Sequence, residues 1–139
     1  MAKDPLLAIQ TTLKADTTVT GIVSTRIYRD LLPDSPVFPA ITLTEISDIS
    51  DDDSNTSTQA HVRIQATAWS QGVASGEASA LSKVIRKSLH RVMNTSLTSG
   101  TDPVDVISCV DAGARSDANT DVKPFIWMVH RDFLIEYSH

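Results

Sequence analysis

The chain is 139 residues long with 41% hydrophobic and 21% charged residues, ordinary globular proportions that leave no room for a second folded domain of usual size. Its 12 Lys and Arg against 17 Asp and Glu give a formal net charge of −5, which argues against broad electrostatic capture of nucleic acid or anionic lipid by the free protein. The single cysteine, Cys109, cannot form an internal disulfide, and with no signal peptide or apolar span legible, residues 1–139 are read as one domain of cytoplasmic origin.

Asp4 and Pro5 open the first predicted helix, since the carboxylate can accept free amides and proline suits the first helical position. Leu6, Ile9 and Leu13 recur at helical spacing, so this helix is expected from about Pro5 to Lys14. A shorter helical turn is expected over Val19 to Ser24, before the chain straightens at Arg26-Ile27-Tyr28. Pro33, Pro36 and Pro39 remove amide donors and bias their predecessors toward extended geometry, which makes Leu32 to Pro39 an irregular connection.

A strand follows, in which Ile41 and Leu43 alternate with Thr42 and Thr44 until Ile46 falls out of phase, the pattern of a bulge or of the end of pairing, and the strand frays near Asp48. Asp51 to Thr58 reads DDDSNTST, too polar to pack. Beyond it Val62, Ile64, Ala66 and Ala68 alternate cleanly with polar residues, so the two strands make an antiparallel hairpin with an unusually long, protruding loop.

After Gly72 the period changes to that of a helix, with Ala74, Ala78, Leu81, Ile85, Leu89 and Val92 on one face and an end near Asn94. Lys83, Arg86, Lys87, His90 and Arg91 fall on the other face, back to back with the apolar stripe. Leu97 to Pro103 reads as a connection, Val104, Val106, Val110 and Ala112 as one face of a third long strand, and Arg115 to Lys123 as a polar turn. The closing strand, Phe125 to Tyr137, is rich in aromatic and branched residues and is expected at the centre of the sheet. The order implies an α+β domain: an antiparallel sheet of about four to five strands with two main helices packed on one face.

Motifs of catalysis are weak. His61, His90, His130 and His139 never approach one another or Cys109 at ligand spacing, and neither a phosphate-binding glycine loop nor a nucleophile elbow is present, because Ser75 stands fourth rather than third in Gly72-Val73-Ala74-Ser75-Gly76. Glu45, Asp48, Asp51, Asp52 and Asp53 are the one acidic cluster, but no glycine lies between Gly21 and Gly72 to shape a cation loop. No metal, cofactor or small-molecule substrate is therefore assigned, and the chain is read as a non-enzyme.

Charge asymmetry is the stronger signal. Ala78 to Gly100 carries four Lys or Arg and no acid, whereas Ile41 to Ala60 carries five acids and no Lys or Arg. Both stretches suit solvated surfaces; they also suit a head-to-tail contact between copies in which Lys83, Arg86, Lys87 and Arg91 face Asp48, Asp51, Asp52 and Asp53, closing a ring.

Several strings taken together carry a family resemblance. They are Leu6-Leu7 and Leu13, then Val19-Thr20-Gly21-Ile22-Val23 leading to Arg26-Ile27-Tyr28, then Leu32-Pro33 and Phe38-Pro39-Ala40-Ile41-Thr42-Leu43. Val62-Arg63-Ile64-Gln65-Ala66, the helix through Leu81 and Leu89, and His130-Arg131-Asp132-Phe133 complete the order. Over nearly the whole chain this resembles the tail-completion or tail-to-head joining proteins, tail-terminator-like, of long-tailed bacteriophages.

The resemblance implies a virion protein assembled in the host cytoplasm, forming a homo-oligomeric ring, commonly a hexamer, at the head–tail junction. Its implied partners are further copies of itself, the head connector or stopper proteins and the tail tube protein, with double-stranded DNA passing through the lumen and no membrane involved. The rival reading is a small α+β binding module whose basic helix face contacts an acidic partner or nucleic acid.

Overall fold

The computed structural model describes the backbone of residues 5–50, 59–72, 75–90, 95–99 and 102–138. Three helices, α1 (Pro5–Ala15), α2 (Thr17–Val23) and α3 (Gly76–Leu89), accompany six strands: β1 (Ile27–Arg29), β2 (Ala40–Ser50), β3 (Gln59–Gln71), β4 (Thr95–Ser99), β5 (Asp102–Asn119) and β6 (Ile126–Ser138). The strands form one sheet in the order β1-β2-β3-β6-β5-β4.

The α+β class is as expected, and β6 lies inside the sheet between β3 and β5. Two short strands raise the count above the four to five anticipated. β1 pairs parallel to β2 through Ile27 and Ile41, so the sheet is mixed rather than wholly antiparallel. Its three residues are too few for a periodic signal; they are held by the Gln10 side chain, which donates to the Ile27 carbonyl at 2.9 Å, and by Arg26, whose Nε donates to the Pro39 carbonyl at 2.9 Å. β4 occupies part of the segment read as a connection, where pairing with β5 from Thr95 opposite Val106 to Ser99 opposite Asp102 outweighs a Ser- and Thr-rich composition.

β2 and β3 form the expected antiparallel hairpin, paired from Ala40 opposite Trp69 to Ser50 opposite Ala60. The register slips between Glu45 and Ser47, where the alternation around Ile46 breaks, and Ile46 is left 50% exposed. The loop expected at 51–58 lies outside the described residues.

Boundaries moved at four places, the first being β2, which stays paired through Ser50 instead of fraying near Asp48. α2 starts at Thr17 rather than Val19 because Asp16 caps it, its Oδ1 accepting from the Thr18 amide at 2.9 Å and the Val19 amide at 3.4 Å. α3 ends at Leu89 rather than Asn94, since His90 takes an extended conformation (φ −66°, ψ 129°); residues 91–94 lie outside the described residues. β5 continues through Arg115 to Asn119, the segment read as a turn, because Ser116, Ala118 and Asn119 pair with Val129, Trp127 and Ile126 of β6. A polar strand is stable there because Ala112 through Asp117 are exposed, so burial makes no demand on their side chains.

The helices cover one face of the sheet. Leu6, Ile9 and Leu13 of α1, and Leu81, Ile85 and Leu89 of α3, meet Ile41, Leu43, Val62, Ile64, Phe133 and Ile135 in a single buried cluster. Period-two burial along β3 and β6 and period-3.6 burial along the helices are thus two sides of one core. α3 packs over β3 and β6 and reaches β5. The opposite face of the sheet carries no helix among the described residues, and its side chains set the second half of the candidate site.

Candidate functional site

On the helix side, β5 presents a carboxylate where the core begins. Cys109 stands opposite Ile135 and Asp111 opposite Phe133, so both point toward the helices, while Val110 stands opposite Leu134 on the other face. This corrects the single face expected for Val104, Val106, Val110 and Ala112 at its last two members, since Val110 and Ala112 are exposed, while the side chains of Val104 and Val106 lie outside the described residues. The register shifts between Val106 and Ser108, which exchanges the two faces of the strand as far as Asp111, where a second shift exchanges them back.

Asp111 must therefore be neutralised near the core, and α3 supplies the cation. Its Oδ2 accepts from Arg86 Nε at 2.7 Å and from an Arg131 terminal nitrogen at 2.6 Å, with the Asp111 side chain 10% exposed. Arg131 also donates through Nε to Ser82 Oγ at 2.9 Å, and the Asp111 amide donates to His90 Nδ1 at 3.1 Å. Burial alone would raise the Asp111 carboxyl, but the Gly113 amide and the two guanidinium groups outweigh it and hold the group below its usual value. Gly113 itself takes φ +108° at the second register shift of β5, a conformation that favours glycine.

The expected basic stripe is accordingly divided. Lys83 and Lys87 are exposed, but Arg86 is spent on an internal ion pair, and Arg91 lies outside the described residues. Lys87 also neighbours Asp16 at the start of α2, whose carboxyl is held low by the Ser88 hydroxyl against a push from burial, with help from the Thr18 and Val19 amides and the Lys87 charge. On the acidic side, Asp48 belongs to β2, opposite Val62, while Asp51, Asp52 and Asp53 lie outside the described residues.

The open face of the sheet is a ladder of mutually satisfied polar groups. Asp132 accepts from Arg63 at 3.0 Å and from Gln65 Nε2 at 3.1 Å, the Thr67 hydroxyl and His130 Nδ1 are 2.9 Å apart, and Trp69 Nε1 donates to Thr42 Oγ1 at 2.9 Å. Burial lowers His130, Arg115 lowers it further, and Asp117 and Asp132 oppose both without cancelling them. Beyond this ladder Val110 and Leu134, each 44% exposed, border a depression of about 440 Å³ that His61, Ile135 and Glu136 also line.

Sequence reasoning missed Asp111. Its signal was legible as an acid two residues from the apolar Cys109, a position that needs a cationic partner once Cys109 is the inward residue. Among the described residues no group of His, Cys, Asp and Glu is arranged to hold a metal ion, and no helix is long and apolar enough to cross a membrane. What the surface offers chemically is charge pairing and apolar contact.

Comparison with known proteins finds both a family and similar solved chains. The family model described as tail completion protein gp17 matches residues 7–135. A solved chain titled "Virion of native gene transfer agent (GTA) particle" superposes with a TM-score of 0.73 at 18% identity, covering 96% of this chain and 95% of that one, a likeness of fold. No curated protein matches the chain in sequence.

Proposed function

Because the chain belongs to the tail completion protein gp17 family, we propose that this phage structural protein forms a ring at the head–tail junction, closing the tail tube and presenting a docking surface to the head connector. The family match over residues 7–135 is the observation that carries the reading. It is a virion component acting by assembly, with head connector or stopper proteins and the tail tube protein as its neighbours.

Electrostatics suits a conduit for DNA. Six copies at −5 each carry −30, and Arg63 and Arg131 are already paired with Asp132 and Asp111. Phosphate backbones meeting such a wall slide past it, whereas unpaired cations would release counterions and hold them. Between copies, Lys83, Lys87 and Arg91 would face the acidic segment Asp48, Asp51, Asp52 and Asp53 of the next subunit, with Arg86 shared between that contact and Asp111.

Electron microscopy of particles produced without this protein tests the role: separate filled heads and tails are expected, and intact virions would overturn it. The electrostatic contact is tested by reversing Lys87 and Arg91 to Glu and measuring assembly mass, where an unchanged oligomer removes that contribution.

A further inference from the structure

Of the exposed large apolar side chains among the described residues, Val37 and Val122 lie in connections between strands, whereas Ile46, Val110 and Leu134 lie in or beside one row of the sheet. Ser47, Arg63, Leu134 and Val110 occupy one register row running across β2, β3, β6 and β5. Ile46, the residue skipped at the β2 bulge and 50% exposed, stands beside one end of that row. Val110 and Leu134 stand at the other end, beside the depression of about 440 Å³. Leu31, 80% exposed, follows Asp30, whose amide donates to the Leu43 carbonyl at 2.9 Å, on the same edge of the sheet as Ile46.

Both ends of the row are open. β1 pairs with β2 only as far as Leu43, and β4 pairs with β5 only as far as Val106. The described residues therefore place no strand outside Ser47 on one side or outside Val110 on the other. Such edges invite a partner, but each is bulged, at Glu45/Ser47 and at Asp111/Ala114, so side chains rather than a continuous hydrogen-bonded ladder must make the contact.

We propose that these two patches dock on each other in successive copies of the chain, Ile46 and Leu31 of one subunit seating against Val110 and Leu134 of the next. The inference rests on the ring reading above and supplies its apolar centre. Two observations favour a second copy as occupant. The patches differ and lie at opposite ends of the sheet, which is the arrangement of a heterologous, ring-forming contact rather than a two-fold one. Ile46 and the Val110–Leu134 pair lie at the same height along the strands, as a closed ring about an axis parallel to the strands requires, since such a ring has no rise.

The polarity is also favourable. β2 is antiparallel to β3, β3 to β6 and β6 to β5, so β2 of one copy and β5 of the next meet antiparallel when the strand direction is kept round the ring.

The test uses two double variants of the full chain, Leu31→Asp with Ile46→Asp, and Val110→Asp with Leu134→Asp. All four positions are exposed, so each variant is expected to keep the wild-type circular dichroism. By analytical ultracentrifugation at a concentration where the wild type is a ring, each variant alone sediments as a 15.1 kDa monomer. Mixed in equal amounts they form dimers of twice that mass that do not grow, because one intact patch remains on each. Should a variant misfold, oxidation of Ile46→Cys combined with Val110→Cys decides instead. These positions are separated by three strand spacings, roughly 14 Å, too far for an internal disulfide, so a ladder of cross-linked multimers supports the contact and its absence overturns it. Rings of unchanged mass from both double variants would overturn this contact and leave the ring standing. A wild type that stays monomeric both in solution and on tail tubes would remove the ring itself.

Discussion

Arg86 on α3 and Asp111 on β5, 25 residues apart, meet at 2.7 Å, and this pair ties the helix layer to the outer half of the sheet. Arg131 closes the arrangement from β6 at 2.6 Å with its own side chain 14% exposed. The two arginines are not equivalent, because Arg86 is 47% exposed and can return to water when its partner is lost.

Removing Asp111 leaves Arg131 charged, largely buried and short of its anion. Asp111→Ala is expected to cost about 2–4 kcal/mol, whereas Arg86→Ala costs at most about 1 kcal/mol, as for an exposed ion pair. Urea midpoints at neutral pH check the contrast, and equal losses for the two variants would show that the network does not depend on burial.

Acid affects the fold through a histidine, His130, and two carboxyls, Asp111 and Asp16, of opposite chemistry and the same sign. His130 is lowered from 6.5, so the unfolded chain takes up its proton first. Its contribution is fully present above about 6.5 and is lost as pH falls from there through the folded-state value. Asp111 and Asp16 are lowered from 3.8, so their contributions are present above that value and are lost at still lower pH. Stability is expected to fall in two stages on acidification. Denaturation midpoints from pH 8 to pH 3 measure this, and His130→Gln should flatten the upper stage alone.

Cys109 is fully buried, and burial, with the Asp111 charge adding to it, pushes its thiol up to about 12. A thiol so far from its reactive thiolate is inert at pH 8. Labelling by an aromatic disulfide reagent should be absent from the native protein and appear only at the rate of unfolding. Fast labelling of the folded chain would contradict the assigned parity of β5.

Ser70 offers a gain. It is 1% exposed and its hydroxyl has no hydrogen-bond partner among the described residues. Ser70→Ala removes the cost of a desolvated, unpaired group and is expected to raise stability by about 1 kcal/mol. A thermal midpoint lower than that of the wild type would mean that the hydroxyl has a partner after all.

The local pattern alone determined the elements whose signal is periodic. Leu6, Ile9 and Leu13 specify α1, Val62 to Ala68 specify β3, the phase slip at Ile46 marks the β2 bulge, and the aromatic run of β6 places it inside the sheet. These follow from burial on one face, which each segment expresses in its own residues. Tertiary pairing decided what is too short or too polar to be periodic: the three residues of β1, the Ser- and Thr-rich β4 and the tail of β5 to Asn119 exist because a neighbouring strand completes their hydrogen bonds. The Arg86–Asp111–Arg131 network belongs to the same class. A one-residue register shift near Val106 turned Asp111 inward and Val110 outward. Side-chain direction in a strand depends on counting from the last bulge, and that count is set between strands.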